Sequence, residues 1–288
     1  MLKIKGFLKE NEISLSRFIS FCLYDKNQGF YQRNSIGKHF ITSPEVSQLF
    51  GECISIFFIL LLKKFNVSNF CELGPGNGTL MKDLIRTVNK FINHSLTFNL
   101  YEKSNYLREL QTKKLKGLKS NSLEINFLSK LDLKKEPYFF ICNEFFDALP
   151  INQFEKKNNN WFEKRIIFEN KFKLIDRLIK KKFSGKFKNG DIIEESPLTN
   201  LYMKRICNHI KKFGGGLLIF DYGPFRKMNI DTLQALYHSK KCGILDFPFK
   251  SDITYHVNFE TMKKISKSYG LKSYGPISQR KFLFFHGI

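Results

Sequence analysis

The fold of this chain is decided by one stretch of its sequence, Phe70-Cys71-Glu72-Leu73-Gly74-Pro75-Gly76-Asn77-Gly78-Thr79-Leu80. Its apolar start is typical of a buried strand, and its alternating glycines mark a turn. Glycine has no Cβ, so the backbone can turn sharply at Gly74, Gly76 and Gly78 and can approach a ligand closely. Apolar residues then recur at helical spacing, namely Leu80, Met81, Leu84, Ile85, Val88 and Ile92. The stretch therefore predicts a strand, a glycine turn and a helix.

The glycine turn also predicts a ligand site. The first N–H groups of the following helix are free and carry the positive end of the helix dipole, which favours an anionic group. The spacing E-x-G-x-G-x-G, with Glu72 on the strand, differs from the G-x-G-x-x-G of dinucleotide sites. It resembles the glycine motif of class I S-adenosylmethionine methyltransferases, in which the glycines face the amino-acid end of the cofactor. A purely structural strand-to-helix turn is the alternative.

Strand and helix patterns alternate along most of the chain. Strands are predicted at residues 69–73, 96–101, 123–128, 138–142 and 217–221, and helices at 14–24, 44–65, 80–92, 105–118, 198–213 and 258–270. Residues 271–274 and 281–285 are predicted to form a closing antiparallel pair. This alternation is typical of an α/β fold. We expect a three-layer, Rossmann-like sheet of the class I methyltransferase type that ends in the antiparallel hairpin.

The domain organisation follows from this alternation. Residues 1–66 are predicted to be a helical extension that packs on a catalytic domain at 67–288. Two insertions are expected in that domain, at about 155–197 and 224–257. The first contains an alternating pattern at 161–176 with a turn near Asn170, which is typical of a β-hairpin inserted after the fourth strand. The second is predicted to be irregular.

Polar residues follow the predicted strands. Ligands of open α/β sheets bind outside the carboxyl ends of the strands. Glu72 with the glycine turn, Glu102, residues 143–147 and Asp221-Tyr222 all fall at such ends. A carboxylate can accept two hydrogen bonds from a diol, so Glu102 is predicted to bind ribose hydroxyls, with an ordinary surface glutamate as the alternative. We expect one crevice in which these strand ends meet.

The composition argues against some classes of protein. The six cysteines are scattered without a C-x-x-C pair, which disfavours zinc ribbons and disulfide scaffolds and fits a reducing compartment. No metal site is predicted. The most apolar run, residues 54–62, is about half of the ~20 residues that a bilayer span needs, so no membrane span is expected. The N-terminus lacks the apolar segment of a secretory signal.

The net charge of +22 has two interpretations. It fits a nucleic acid or an anionic membrane as partner. It also fits a chain in which Lys, Asn, Ile and Phe are abundant throughout, as in a proteome biased by A/T-rich codons. The basic residues are spread along the chain rather than gathered in a tail, which favours the compositional interpretation. We therefore expect no specific nucleic-acid partner.

Further blocks make the resemblance to one family specific. They are Gly29-Phe30-Tyr31, Thr42-Ser43-Pro44-Glu45, Asn143-Glu144-Phe145-Phe146-Asp147-Ala148-Leu149-Pro150, Asp221-Tyr222-Gly223 and Asp252-Ile253-Thr254-Tyr255-His256. With these blocks in order around the glycine motif, the chain resembles the MidA-like methyltransferases, which include the mitochondrial complex I assembly-factor arginine methyltransferase. The chain departs from the family where Lys38-His39 replace the usual Gly-Asp. It also departs after the third strand, where Ser129 stands and the family often has an acid.

The resemblance implies an S-adenosylmethionine-dependent methyltransferase that modifies arginine. Its substrate would be a protein with a target arginine, such as a subunit of the respiratory NADH dehydrogenase (complex I) during assembly. The predicted cofactor-binding residues are Glu72, Gly74, Gly76, Gly78, Glu102, Ser129 and Asn143. For Asn143, positioning of the Glu144 backbone is the alternative role. We expect the cytoplasm as the location in a bacterium and the mitochondrial matrix for eukaryotic relatives.

The carboxylates after the fourth strand suit a guanidinium substrate. A guanidinium has a pKa above ~12, and bidentate pairing with a carboxylate fixes its planar fork. Glu144 is predicted to be the first clamp, and Asp147 the second clamp or an orienting residue, with an N-cap role as the alternative for Asp147. His256 is predicted to accept a proton or to orient the substrate, with an ordinary loop histidine as the alternative.

Two other functions stay open at this point. The net charge motivates a nucleic-acid methyltransferase, and a catalytically silent assembly chaperone would keep the fold and bind a partner. Amino-directed DNA methyltransferases carry Asn-Pro-Pro-aromatic at this position, whereas Glu144 and Phe145 follow Asn143 in this chain. This difference favours a cationic substrate over a nucleobase.

Overall fold

The computed structural model describes residues 12–37, 42–118, 122–226 and 228–287. Its strands are β1 (Glu12–Ser14), β2 (Asn69–Leu73), β3 (Leu96–Tyr101), β4 (Leu123–Leu128), β5 (Tyr138–Asn143), β6 (Asn152–Lys157), β7 (Asn160–Glu169), β8 (Lys171–Ile179), β9 (Ile192–Glu195), β10 (Gly215–Phe220), β11 (Gln234–Tyr237), β12 (Lys240–Cys242) and β13 (Asp252–Thr254). Its α-helices are α1 (Leu15–Tyr24), α2 (Ser43–Val46), α3 (Gln48–Leu62), α4 (Thr79–Val88), α5 (Asn105–Leu115), α6 (Pro197–Phe213), α7 (Phe259–Ser268) and α8 (Gln279–Phe285). None of the helices in these ranges is long and apolar enough to cross a membrane. The expectation that the chain has no secretory signal rests mainly on residues 1–11, which lie outside the described residues.

The central sheet is parallel and has the strand order β10-β5-β2-β3-β4. It contains the five strands that the sequence predicts. The chain runs outward from β2 to β4 and then continues with β5 on the other side of β2, so the topological switch point lies between β2 and β5. Successive side chains of β2 point to opposite faces: Phe70 packs with α3 and α4, and Cys71 packs with α6 and α7. The α/β class is confirmed, with helices on both faces of the sheet.

A second sheet follows β5 in sequence and includes the N-terminal strand. β6, β7 and β8 form a meander, β9 pairs with β6, and β1 pairs with β7, all antiparallel. The turn between β7 and β8 lies at Asn170, which has a φ of +60°, a conformation that asparagine tolerates. Ile13 and Phe18 of the N-terminal segment share a buried cluster with Ile151 and Ile166. The hairpin predicted at 161–176 is therefore part of a larger sheet that also anchors the N-terminal segment.

Two predictions of local structure are wrong. The helix predicted over 44–65 is interrupted at Ser47, which is extended and caps α3 because its Oγ accepts the N–H of Leu49 at 3.2 Å. The segment 224–257, predicted to be irregular, contains the small antiparallel sheet β12-β11-β13. Ala235 and Ile253 of this sheet are buried in the cluster that α1 also joins. This long-range burial stabilises strands that are too short for the sequence pattern to indicate.

The predicted terminal hairpin is also wrong. Residues 281–285 lie in α8 instead of a strand, and Ser278 caps this helix by accepting the N–H of Lys281 at 3.3 Å. Phe282 is buried on α8 and packs edge-to-face against Phe57 of α3 and Phe220 of β10. A helix presents Phe282 to both partners, and the run of consecutive apolar residues around it lacks the alternation of a half-buried strand. Within the described residues, β10 is thus an edge of the central sheet.

Candidate active site

A cavity of about 390 Å³ lies at the carboxyl ends of the central strands. Glu72, Glu102 and Asn143 line it from the ends of β2, β3 and β5. Tyr31 lines it from the N-terminal segment, and Asp252 lines it from β13. The crevice expected at the strand ends is present, and two of its walls come from outside the central sheet.

The glycine turn combines contact with the cavity and close packing. The φ angles of Gly74, Gly76 and Gly78 are +66°, +52° and +77°, a region that residues with a Cβ rarely adopt. A Cβ on Gly74 would lie 2.7 Å from a ring carbon of Phe145, and one on Gly76 would lie 2.7 Å from Cγ1 of Ile36. Gly74 and Gly76 line the cavity, whereas Gly78 caps α4 outside the lining. Packing against Phe145 and Ile36 therefore already requires glycine at positions 74 and 76, in addition to any requirement of a ligand.

The N-terminal segment is tied to this turn by polar contacts. The Asn77 side chain accepts the N–H of Ile36 at 3.0 Å and donates to its carbonyl oxygen at 2.8 Å. Glu45 Oε1 accepts from Asn77 at 3.2 Å and from the Thr79 hydroxyl at 2.6 Å. Glu45 and Asn77 both belong to the quoted motifs, but their link to each other could not be predicted from the sequence. The departure at Lys38-His39 lies outside the described residues.

Two buried glutamates form one end of the cavity. Glu72 is 2% exposed, and its Oε2 has no hydrogen-bond partner within the described part of the chain. Burial, and then the charge of Glu102, raise the pKa of Glu72 to about 8. Glu102 accepts the N–H of Ser104 at 2.8 Å, and burial raises its pKa to about 7. A buried carboxylate oxygen without a partner is unfavourable, so this end of the cavity suits a ligand that brings a cationic donor and hydroxyl groups.

Glu144 lies in a strained position at the end of β5. Its φ is +49°, although it is not a glycine, and its N–H donates to the Phe220 carbonyl at 2.8 Å. Residues held in this region cost about 1–3 kcal/mol and are concentrated at functional sites. Burial raises the pKa of Glu144 to about 7, while hydrogen bonds from the Ser43 backbone and the Asn143 side chain oppose the rise. The carboxyl group is thus near its protonation midpoint at neutral pH.

Asp147 is a second buried carboxyl group of the cavity with an oxygen that has no partner among the described residues. It is 5% exposed, and its Oδ1 has no hydrogen-bond partner among the described residues. Burial raises the pKa of Asp147 well above its usual range, and the charges of Asp221, Asp252 and Glu144 raise it further. Residues 148–151 lead into β6 without forming a helix, so Asp147 is not the N-cap that the sequence allowed.

Asp221 stabilises the loop that carries these side chains. Its Oδ2 accepts the N–H of Phe146 and its Oδ1 accepts the N–H of Tyr222, both at 2.9 Å. Because both oxygens are engaged by backbone donors, Asp221 is suited to hold the loop rather than to bind a ligand. Its burial raises its pKa to about 7, and its charge adds to the negative potential at Asp147.

A third carboxylate, Asp252, completes an acidic cluster with Glu144 and Asp147. Asp252 is 2% exposed and its Oδ1 accepts the Tyr31 hydroxyl at 2.8 Å. None of the ion pairs formed between described residues involves a member of this cluster. Asp252 belongs to a quoted motif, but its distance from β5 in the chain hides its proximity to Glu144 and Asp147. A cavity with three such carboxylates attracts a cation.

Two predicted site residues lie away from the cavity. His256 is exposed, and its N–H donates to the Thr232 hydroxyl at 2.9 Å. Its neighbours Tyr255 and Val257 are buried, and this alternation turns His256 outward. Ser129 is exposed beyond β4, the edge strand of the central sheet on that side. The structure therefore brings together all the predicted site residues except His256, Ser129 and Gly78.

Comparisons with known proteins agree with the family resemblance. Residues 53–277 match the family model Methyltransf_28, described as "Putative S-adenosyl-L-methionine-dependent methyltransferase". The chain is 30% identical over 314 residues to the mitochondrial protein arginine methyltransferase NDUFAF7 of Xenopus laevis, which covers 96% of this chain and 71% of that protein. It is 28% identical over 323 residues to the protein of the same name from Homo sapiens, with 100% and 72% covered. A COG1565 superfamily structure from Burkholderia thailandensis, bound to S-adenosyl-homocysteine, shares the fold with a TM-score of 0.78 and 21% identity, covering 93% of this chain and 75% of that chain.

Proposed function

The chain belongs to this family of S-adenosyl-L-methionine-dependent methyltransferases, and we propose that it methylates arginine side chains of a protein. One observation carries this proposal: the buried Oδ1 of Asp147 has no hydrogen-bond partner in the described ranges, and Asp147 lines a cavity with Glu144 and Asp252. The relatives named protein arginine methyltransferases support it. A guanidinium would supply both the missing hydrogen-bond donors and the missing positive charge.

The residues at the glutamate end of the cavity fit the cofactor. S-adenosylmethionine carries an ammonium group, a ribose diol and the sulfonium methyl group that supplies the chemistry. Glu72 would pair with the ammonium through its Oε2, which has no partner among the described residues, and Glu102 would accept hydrogen bonds from the ribose hydroxyls. The backbone of Gly74 and Gly76 would face the amino-acid end. A cation beside Glu72 lowers the pKa of this carboxyl group and so favours its charged form.

Two carboxylates of the acidic cluster, those of Glu144 and Asp147, bind and orient the guanidinium. Glu144 and Asp147 accept hydrogen bonds from its fixed fork, which aligns one nitrogen with the methyl group for in-line displacement. The cofactor would supply the methyl group, with a bond forming between this nitrogen and the methyl carbon as the bond between carbon and sulfur breaks. The nitrogen then has a proton in excess, and one of the carboxylates, whose pKa values are raised by burial, accepts it. The methylated guanidinium keeps its single positive charge.

The proposal extends to the protein that carries the target arginine. The family resemblance suggests a subunit of the respiratory NADH dehydrogenase during assembly. Two alternatives have different consequences at the cavity. The acidic lining disfavours a polyanionic nucleic acid close to the transferred methyl group, and a silent chaperone would bind a partner without changing its mass.

The test is a methyl-transfer assay with protein substrates. The purified chain is incubated with isotope-labelled S-adenosylmethionine and with purified NADH dehydrogenase subunits, and the products are mapped by mass spectrometry. We expect label on an arginine of at least one subunit and none on duplex DNA or RNA. Label on lysine or on nucleic acid would refute the proposal. A subunit that binds and stays unlabelled would support the chaperone instead.

A further inference from the structure

Asp252 reaches the active site from a part of the chain that the mechanism above does not use. It begins β13 in the small sheet β12-β11-β13, whereas Glu144 and Asp147 follow the central strand β5. Nevertheless, all three side chains line the same cavity. The small sheet therefore contributes a buried carboxylate directly to the site.

The orientation of the Asp252 side chain is fixed by hydrogen bonds. Its Oδ1 accepts the hydroxyl of Tyr31, and the backbone N–H of Ile253 also donates to the carboxylate. Tyr31 is itself buried and lines the cavity. These donors hold the carboxylate in place without neutralising it, because a tyrosine hydroxyl and a backbone amide carry no net charge.

The charge of Asp252 acts on the other two carboxylates. It raises the pKa of both Glu144 and Asp147, for which burial is the largest cause. Other titratable groups that face this region are Asp221 and the tyrosines Tyr24, Tyr31 and Tyr222. Among the described residues, no lysine or arginine forms an ion pair with Asp252, and the Oδ1 of Asp147 has no partner. The cavity thus has more negative charge and acceptor capacity than its own donors satisfy.

Resting on the proposed function, we infer that Asp252 is a third substrate-binding carboxylate, which makes the cavity selective for arginine over lysine. A guanidinium spreads its charge over a planar group with five N–H donors, whereas an ammonium is a compact charge with three. Two carboxylates can satisfy an ammonium, but a third one, held on a separate sheet, adds acceptors that only the wider group uses fully. Tyr31 is the positioning residue that orients this third carboxylate.

Two variants separate the charge of Asp252 from its hydrogen bond. Asp252→Asn removes the charge and keeps an oxygen that accepts the Tyr31 hydroxyl. Tyr31→Phe removes the hydroxyl and keeps the charge. A purely structural role for Asp252 predicts that Asp252→Asn is silent and that Tyr31→Phe is harmful, whereas the selectivity role predicts the reverse order.

The experiment is a calorimetric titration in the presence of S-adenosyl-homocysteine, with two peptides that differ only in one arginine or lysine. We expect the unmodified protein to bind the arginine peptide more tightly. Asp252→Asn should lose about tenfold or more of this affinity and most of the preference, and Tyr31→Phe should lose less. Both variants should bind S-adenosyl-homocysteine as the unmodified protein does. Equal arginine affinity in Asp252→Asn, or no arginine preference in the unmodified protein, would overturn the inference.

Binding and methyl transfer distinguish this inference from the function on which it rests. Selective binding that depends on Asp252, without methylation of any arginine, would refute the proposed function and keep the inference. Arginine methylation with unchanged selectivity in Asp252→Asn would refute the inference alone. If Asp252→Asn does not fold, Asp252→Glu keeps the charge and must retain most of the arginine preference. A folded Asp252→Glu protein without this preference would also overturn the inference.

Discussion

The acidic cavity and the inserted sheet β6–β9 differ in the exposure and in the partners of their charged side chains. A groove on the inserted sheet is lined by Lys156, Lys180, Lys181 and Lys182 around Trp161. Its lysines are exposed or pair with neighbours: Lys181 forms an ion pair with Glu195 and lies 4.5 Å and 4.6 Å from the ring centres of Phe154 and Phe183. On this sheet each charge has water or a partner. In the cavity, one buried oxygen each of Glu72 and Asp147 has no hydrogen-bond partner within the part of the chain that the structure describes.

The pKa values of the carboxyl groups record the same difference. For Glu155 on β6, partial burial acts to raise the pKa, but hydrogen bonds and charges from Lys164 and Lys157 lower it overall. In the cavity, burial dominates and raises the pKa of Glu144 and Asp147. The chain therefore combines a net charge of +22 with an active site that is lined by buried carboxyl groups. The charge of the whole chain is a poor guide to its substrate, because partners and burial at the site decide the local potential.

The largest expected effect is the loss of cofactor binding in the acidic cavity. Gly76→Val adds a side chain whose Cβ would lie 2.7 Å from Ile36, at a φ of +52°. Because Gly76 lines the cavity, the valine side chain would also occupy space that the ligand needs, and we expect about a 1,000-fold loss of S-adenosylmethionine affinity. Calorimetric titration measures this loss, with circular dichroism to check the fold. Gly117→Val is the matched control, because no atom lies within 4 Å of a Cβ at Gly117. Unchanged affinity in folded Gly76→Val would remove the glycine turn from the cofactor site.

The second effect separates charge in the cavity from charge on the sheet. Glu144→Gln keeps the size of the side chain and removes a charge-assisted bond worth about 1.5–3 kcal/mol, so kcat/KM for an arginine substrate should fall by about 10- to 100-fold. S-adenosylmethionine affinity should stay within about twofold, since its contacts lie elsewhere. Glu163→Gln on β7 changes the net charge equally but lies in an ion pair with Arg165, and it should be nearly silent. Full activity in Glu144→Gln would mean that the guanidinium is bound by other residues.

A third, smaller effect concerns stability. The pKa of Asp147 is higher in the folded state than in the unfolded state. The contribution of this carboxyl group to the free energy of unfolding is therefore greatest below the unfolded-state pKa, and it is lost as pH rises from the unfolded-state pKa to the folded-state pKa. Asp147→Asn removes this penalty, so the cofactor-free protein should gain about 2–4 °C in Tm at pH 8 and less at pH 4. Methyl transfer should fall at the same time. Thermal unfolding at both pH values measures the gain. An equal or lower Tm of Asp147→Asn at pH 8, relative to the unmodified protein, would show that the buried carboxylate of Asp147 does not destabilise the fold.

The smallest effect is expected on the inserted sheet. Lys180→Gln combined with Lys182→Gln should change methylation of a short arginine peptide by less than about twofold, because exposed charges contribute little. Any binding of a generic DNA duplex should be weak and should disappear near physiological salt, as phosphate contacts alone predict. Fluorescence anisotropy at two salt concentrations measures this binding. A tight, sequence-selective complex at physiological salt would favour the nucleic-acid methyltransferase instead.

Much of the site was predictable because its residues follow strands directly. Glu72, Glu102 and Asn143 lie at a strand end or one residue from it, and parallel strands bring their carboxyl ends to one edge. The prediction for His256 rested on a motif alone and had no element to orient the side chain. The prediction of a C-terminal hairpin was wrong for a related reason. The burial of Phe282 against Phe57 depends on a helix more than two hundred residues earlier in the chain, which the local pattern does not contain.

The sequence alone determined the features that local rules control: the parallel strands, the glycine turn, the acidic ends of the strands and the family resemblance. Backbone sterics and hydrophobic periodicity act over a few residues, so they can be read from a single segment. Only the tertiary structure decided that Asp252 and Tyr31 join Glu144 in one cavity, and that the Oδ1 of Asp147 is buried without a hydrogen-bond partner among the described residues. Electrostatic potential and burial arise from residues that are distant in the chain and adjacent in space, which no single segment contains.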